Sequence, residues 1–222
     1  MSGVDKLSKV TGHQSGDRLA PVLAFARSVD FEEVHALQVA VLAQQLFGYL
    51  PPAKKNKAWE PEWLEYAAVL HDIGYINGVR KHHRIAEEMI RKADLKGFRQ
   101  IEQRVIAAVA RAHRKRYPAE SDPVFAGLEN AERESVMRLA AVLRVADGLD
   151  RTHRALVRSV SMRIWNAEAR ISCLAGGGVD EELRSAKKKS DLLSSYLGVP
   201  VEFDVVSSGA FSEREGENGT IA

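Results

Sequence analysis

Several helical patterns in this chain each place one metal-liking side chain on an otherwise apolar face. His35 recurs with Val39, Leu42 and Leu46, and His71 with Leu64, Ala67 and Ala68. His113 lines up with Ile106 and Val109, and Asp147 with Val136, Leu139, Ala140 and Leu143. Apolar stripes must turn inward, so the helices have to pack around one core and carry these polar groups towards a shared centre. One buried histidine is ordinarily a hydrogen-bonded core residue, and one buried aspartate ordinarily half of an ion pair. An aspartate on a core face is expensive unless paired or ligating. Four such cases on four helices, with Asp72 adjoining His71, point instead to a divalent metal: Mn²⁺, Mg²⁺, Fe²⁺ or Zn²⁺, one ion or two.

The helical patterns cover 30–50, 61–72, 82–93, 98–116 and 131–154. Asp30 caps the first, Pro51 and Pro52 end it, and Gly74 stops the second. Beyond 158 the pattern changes. Segments 157–165 and 169–174 alternate like strands, 180–197 reads as a helix capped by Asp180, and 201–206 reads as a last strand. The fold class is therefore mainly α, a helical bundle with a small C-terminal β-β-α-β appendage. Residues 19–158 form the helical domain and 159–206 the small α/β subdomain. Polar tails at 1–18, which include His13, and at 207–222 are expected to be disordered. The 222 residues suffice for one core of this size. A single cysteine, Cys173, excludes a disulfide framework and a Cys-rich zinc site, and reads as a small core residue. No apolar run is long enough to span a bilayer and no signal core opens the chain, so a cytoplasmic protein is expected.

The pair His71-Asp72 carries the sharpest signal. Neighbours in a regular helix point about 100° apart, so both can face one ion only where the helix ends. His35 lies 36 residues before this pair and Asp147 lies 75 after it. That order resembles the HD superfamily of metal-dependent phosphohydrolases. More narrowly, AAVLHDIGY (67–75), HHRIAEEMI (82–90), DLKGFRQIE (94–102), RAHRKRYP (111–118) and LAAVLRVADGLDRTHR (139–154) resemble the C-terminal HD-like domain of the exopolyphosphatase/guanosine pentaphosphate phosphatase (Ppx/GppA) family. The resemblance runs over roughly 20–206. It implies metal ligation by His35, His71, Asp72 and Asp147. It puts His83 and His113 where two-metal members carry two further histidines, with His82 an alternative to His83. A family histidine shortly after this pair is replaced by Ile85. In that family the hydrolytic site lies in N-terminal phosphatase domains, and no Gly-rich phosphate loop precedes the helical part here. The HD-like module is thus expected to stand alone.

The chemistry implied is phosphoester hydrolysis by metal-activated water, with Asp72 as the catalytic residue orienting the nucleophile. Charge supports an anionic phosphorylated small molecule, a nucleotide or polyphosphate, as partner. The formal net charge is only +2, yet residues 80–116 hold twelve Lys or Arg against four Asp or Glu. Arg80, Lys81 and Arg84 flank the paired histidines, and Arg114 and Lys115 follow His113. These are candidate substrate-binding residues. Arg144 and Arg151 share the face of Asp147, where they either pair with Asp147 or Asp150 or hold phosphate. Arg91, Lys92, Arg99, Arg104 and Lys187 to Lys189 read as solvated surface. Nucleic acid is disfavoured because no aromatic residues interleave the basic runs. Two other readings stand beside hydrolysis. One is a polyphosphate- or alarmone-binding regulatory module without catalysis. The other is a domain, homodimeric for instance, whose buried histidines are core relics.

Overall fold

A computed structural model describes residues 7, 16–29, 31–52, 58–77, 81–114 and 121–206. The helices are α1 (Gly16–Ser28), α2 (Glu33–Gly48), α3 (Glu60–Leu70), α4 (His82–Lys92), α5 (Gln100–Ala112), α6 (Asn130–Gly148), α7 (Asp180–Lys189) and α8 (Asp191–Leu197). The strands are β1 (Val157–Trp165), β2 (Glu168–Ala175) and β3 (Val201–Val206). The architecture is mainly helical with one small sheet near the C-terminus, as the periodicity predicts. None of the described helices is long and apolar enough to cross a membrane.

The longest helix, α6, is central. Its residues from Val136 to Gly148 are almost all buried because they meet partners on several sides. It packs against α2, α3 and α5 on the bundle side and against α7 and α8 on the other. Leu42, Leu64, Ile106, Leu139 and Leu143 are all fully buried in one core, each stabilising the fold by about 2 kcal/mol. The stripes identified in the sequence are the surfaces that meet there.

The sheet order is β1-β2-β3. β1 and β2 form an antiparallel hairpin, and β3 joins β2 in parallel. Parallel pairing demands a crossover, and α7 and α8 supply it. The hairpin turns on Asn166 and Ala167, whose φ values of 49° and 58° suit a two-residue turn that follows the strand twist. Cys173 is fully buried in β2, and burial pushes its thiol up to about 12, as fits a core residue.

Several boundaries differ from the sequence reading. The second helix ends at Leu70, so His71 and Asp72 lie in the turn that follows it. Gly74 does not stop that helix. It sits in a short 3-10 segment (Ile73–Asn77), where an added Cβ would lie 2.3 Å from the His82 carbonyl oxygen and 2.7 Å from the Ala86 nitrogen. Its role is close approach, which brings the Asp72 turn onto the start of α4. α6 stops at Gly148 rather than near 154, and Gly148 is another point of close approach. A Cβ there would meet the Ala186 Cα at 2.7 Å, so α7 docks directly on the α6 backbone. The expected 180–197 helix is two helices, broken at Ser190, with Asp180 inside the first turn of α7 and Val179 as its cap. Two described residues of the expected 1–18 tail pack against the rest of the chain. Leu7 is fully buried, and Arg18 of α1 ties Glu62 of α3 to Glu102 of α5. Asp30, His13 and 207–222 lie outside the described residues.

Candidate metal centre

The centre is assembled from five places: the first turn of α2, the turn after α3, the start of α4, the end of α5 and the end of α6. These helix ends converge, so each polar side chain comes from the rim of an apolar stripe. His35 and His71 are 1% and 0% exposed, and His82 and His113 are 3% and 2% exposed.

Two groups result. The ligand-type atoms of His35, His71 and Asp147 lie within 4.8 Å of one another, and so do those of Asp72, His82 and His113. Asp72 faces both. Its Oδ2 is 3.7 Å from His71 Nε2, while its Oδ1 is 3.3 Å from His82 Nε2 and 3.4 Å from His113 Nε2. His82 Nε2 and His113 Nε2 are 3.3 Å apart.

The outward nitrogens fix the tautomers. His71 Nδ1 donates to the Ala68 carbonyl oxygen at 2.7 Å, and His113 Nδ1 to that of Ala110 at 2.5 Å. A carbonyl can only accept, so Nδ1 carries the proton and Nε2 presents its lone pair inward. His35 Nδ1 meets Asp150 Oδ2 at 2.8 Å, which orients that ring the same way. As a result His35 Nε2, His71 Nε2 and Asp72 Oδ1 are buried without any hydrogen-bond partner among the described residues. Buried polar atoms are rarely left so. A divalent cation accepted by imidazole and carboxylate would satisfy them, and the donor set fits one.

Electrostatics keep these groups ready to ligate. Burial opposes ionisation of Asp72, but His71, His113 and His82 outweigh it and hold the carboxyl below its ordinary value. Burial likewise opposes ionisation of Asp147, yet Lys189, then His71 and His113, draw it far below the carboxylate range. Burial, with His71, pushes His113 down to about 3, against the pull of Asp72 and Asp147, so the imidazole is neutral at pH 7.

Residues 18–175 match the family described as Ppx/GppA phosphatase, domain III. The chain belongs to that family. The match takes in every residue of both His/Asp groups and ends with β2. The expected reach to about 206 is therefore shorter, and α7, α8 and β3 fall outside the matched part of this Ppx/GppA domain III protein.

Among the candidate residues, His35, His71, Asp72, His113 and Asp147 come together. His83 does not. His82 is the member of the pair that reaches Asp72 and His113, and His83 lies beside it with ring centroids 5.8 Å apart. Both lie inside the regular helix α4, where consecutive side chains diverge by about 100°, so only one of the two faces the centre. Arg114 is half-buried, with Nη1 2.9 Å from His82 Nδ1. Lys81, in a left-handed conformation with φ 70°, and Arg84 are exposed at the start of α4, and Arg151 is exposed beyond α6. Arg80 and Lys115 lie outside the described residues. Arg144 pairs with neither aspartate suggested for it. It is 4% exposed, bonds Asp191 Oδ1 at 2.5 Å and approaches the Lys189 carbonyl at 3.3 Å, which makes it a clamp for the α7–α8 junction.

Three contributors escaped the sequence reading. Asp150 was visible three residues after Asp147, but its partner His35 is 115 residues away. His153 stacks on His35 at 3.8 Å and bonds Glu32. Lys189, read as solvated, reaches Asp147 Oδ2 from the end of α7. No local pattern marks it out among its lysine neighbours.

Proposed function

We propose that this protein is an HD-type phosphohydrolase of the cytoplasm that uses one or two divalent ions, and that its substrate is a small phosphorylated anion, a nucleotide or polyphosphate. The observation that carries this reading is the set of three buried, inward-facing atoms that lack a hydrogen-bond partner among the described residues, His35 Nε2, His71 Nε2 and Asp72 Oδ1. A divalent ion held there supplies Lewis acidity, which makes water nucleophilic near neutral pH and offsets phosphate charge. His35, His71 and Asp147 would hold one position, and His82 and His113 a second.

Asp72, whose Oδ2 approaches His71 and whose Oδ1 approaches His82 and His113, would contribute to both positions and is also the group suited to orienting the attacking water. With 23% of its side chain exposed, it is open enough to meet a substrate that the buried histidines cannot reach. Arg114 beside His82 and the exposed Arg84 and Arg151 would meet phosphate oxygens. Purified protein supplied with Mn²⁺ should release phosphate from some member of a panel of nucleotides and polyphosphate. His71→Ala and Asp72→Asn should each abolish release while the circular dichroism spectrum is kept. Activity surviving both substitutions refutes the site.

A second reading is favoured by one observation, the Lys189 ammonium already resting on Asp147. In it the module binds a phosphorylated anion without turning it over, as a regulatory partner of catalytic domains. Retention of polyphosphate or a guanine nucleotide by metal-loaded protein, with no product formed, would favour it.

A further inference from the structure

Lys189 is the last residue of α7, in the part of the chain beyond the family match. Its side chain is only 25% exposed, and its Nζ bonds Asp147 Oδ2. The opposite oxygen, Oδ1, faces His35 Nε2 at 3.8 Å. Asp147 is therefore shared between the imidazole group and an ammonium. Lys189 is not free to wander off. Its own carbonyl is approached by Arg144 Nε, Arg144 also bonds Asp191, and Ala186 sits against Gly148. Glu182 further up α7 accepts from Thr152 Oγ1 at 2.5 Å. Its two lysine neighbours differ. Lys187 is committed to Glu202 and the Val201 carbonyl, and Lys188 is exposed.

Resting on the reading of His35, His71 and Asp147 as a metal position, we propose that Lys189 makes metal binding conditional on phosphate. An ammonium has three donors, and its bond to Asp147 uses one. A fixed positive charge next to a divalent ion repels it. Were the two charges separated by roughly 6 Å across the shared carboxylate, that repulsion would weaken the ion's binding about tenfold even with the dielectric of water. A phosphate dianion placed between them reverses the sign, because it is attracted by both and can accept from the spare N–H groups. Metal and phosphate then bind with positive coupling, and by linkage each tightens the other equally. Lys189 is thus a specificity-determining residue that favours an anionic phosphorylated ligand over the bare ion.

The test is Mn²⁺ titration of the full chain, followed by electron paramagnetic resonance of free Mn²⁺, with and without inorganic phosphate. In the wild type, phosphate should tighten Mn²⁺ binding about tenfold or more. Lys189→Met should bind Mn²⁺ alone about tenfold more tightly than the wild type and gain little from phosphate. Lys189→Arg keeps the charge and should restore the coupling, which separates this role from mere packing. Identical Mn²⁺ constants and identical phosphate coupling in wild type and Lys189→Met overturn the proposal while leaving the metal centre standing. Absence of Mn²⁺ binding in every variant overturns the metal centre itself, and the proposal with it.

Discussion

Asp150→Ala isolates the support beneath the proposed metal centre from the proposed ligands themselves. Asp150 is 1% exposed and accepts twice, from His35 Nδ1 at 2.8 Å and from the Ala155 backbone N–H at 2.7 Å. Alanine leaves the buried His35 donor unpaired, at about 1–3 kcal/mol, and the half-buried Ala155 N–H unpaired at a smaller cost, so about 3 kcal/mol is the expected loss. At ~2–4 °C per kcal/mol for a chain of this size, the melting temperature of metal-free protein should fall by roughly 6–12 °C. A second consequence is chemical. Without Asp150 nothing holds the proton on Nδ1, and the tautomer with Nε2 protonated cannot ligate. Metal affinity should drop about 10–100-fold, the range typical for loss of a group that orients a ligating histidine. Asp150→Asn keeps one acceptor and should fall between. Calorimetric melting and Mn²⁺ titration read the two effects separately. A melting temperature within 2 °C of wild type, together with an Mn²⁺ constant within twofold, would refute the reasoning.

Other substitutions probe other parts of the account. Glu65 is fully buried, with both carboxyl oxygens lacking hydrogen-bond partners among the described residues, and burial, with Glu62, lifts its pKa to about 7. The folded state therefore holds a proton that the unfolded chain has released, and stability falls as pH rises from about 4.5 to about 7, by up to ~3 kcal/mol. Glu65→Gln should match the wild type in urea melts near pH 5 and exceed it near pH 8; a difference independent of pH counts against this. Gly148→Ala forces a Cβ onto the α7 backbone and should cost about 1–3 kcal/mol in urea unfolding; an unchanged midpoint would mean α7 is not docked as described. His82→Ala should remove the second Mn²⁺ from a two-ion titration, whereas His83→Ala should retain it; the opposite result would return His83 to the centre.

The parts of the fold legible in the sequence are those that periodicity governs. Apolar stripes containing Leu42, Leu64, Ile106 and Leu139 revealed the helices and the faces that meet, because burial of such a stripe needs no knowledge of its partner. Helix ends were less legible. Gly74 looks like a stop signal and Gly148 like an ordinary helix residue, yet each is small because another backbone lies on it, at His82 and Ala186 respectively. That is a tertiary fact with no local mark. The same division runs through the site. His35, His71, His113 and Asp147 stood out as polar residues on apolar faces, and Asp72 by adjoining His71. Choosing His82 over His83 required the rotation at which α4 begins. Lys189 was unreadable because its contact with Asp147 spans 42 residues and depends on the α6–α7 docking.

The most direct test of the central claim is elemental analysis of protein loaded with Mn²⁺ or Fe²⁺ and then freed of loosely held ions. The account predicts between one and two ions per chain, and their loss in a His35→Ala, His71→Ala double variant that still melts cooperatively. Protein that retains no metal under these conditions, or a double variant that retains as much as the wild type, would contradict it.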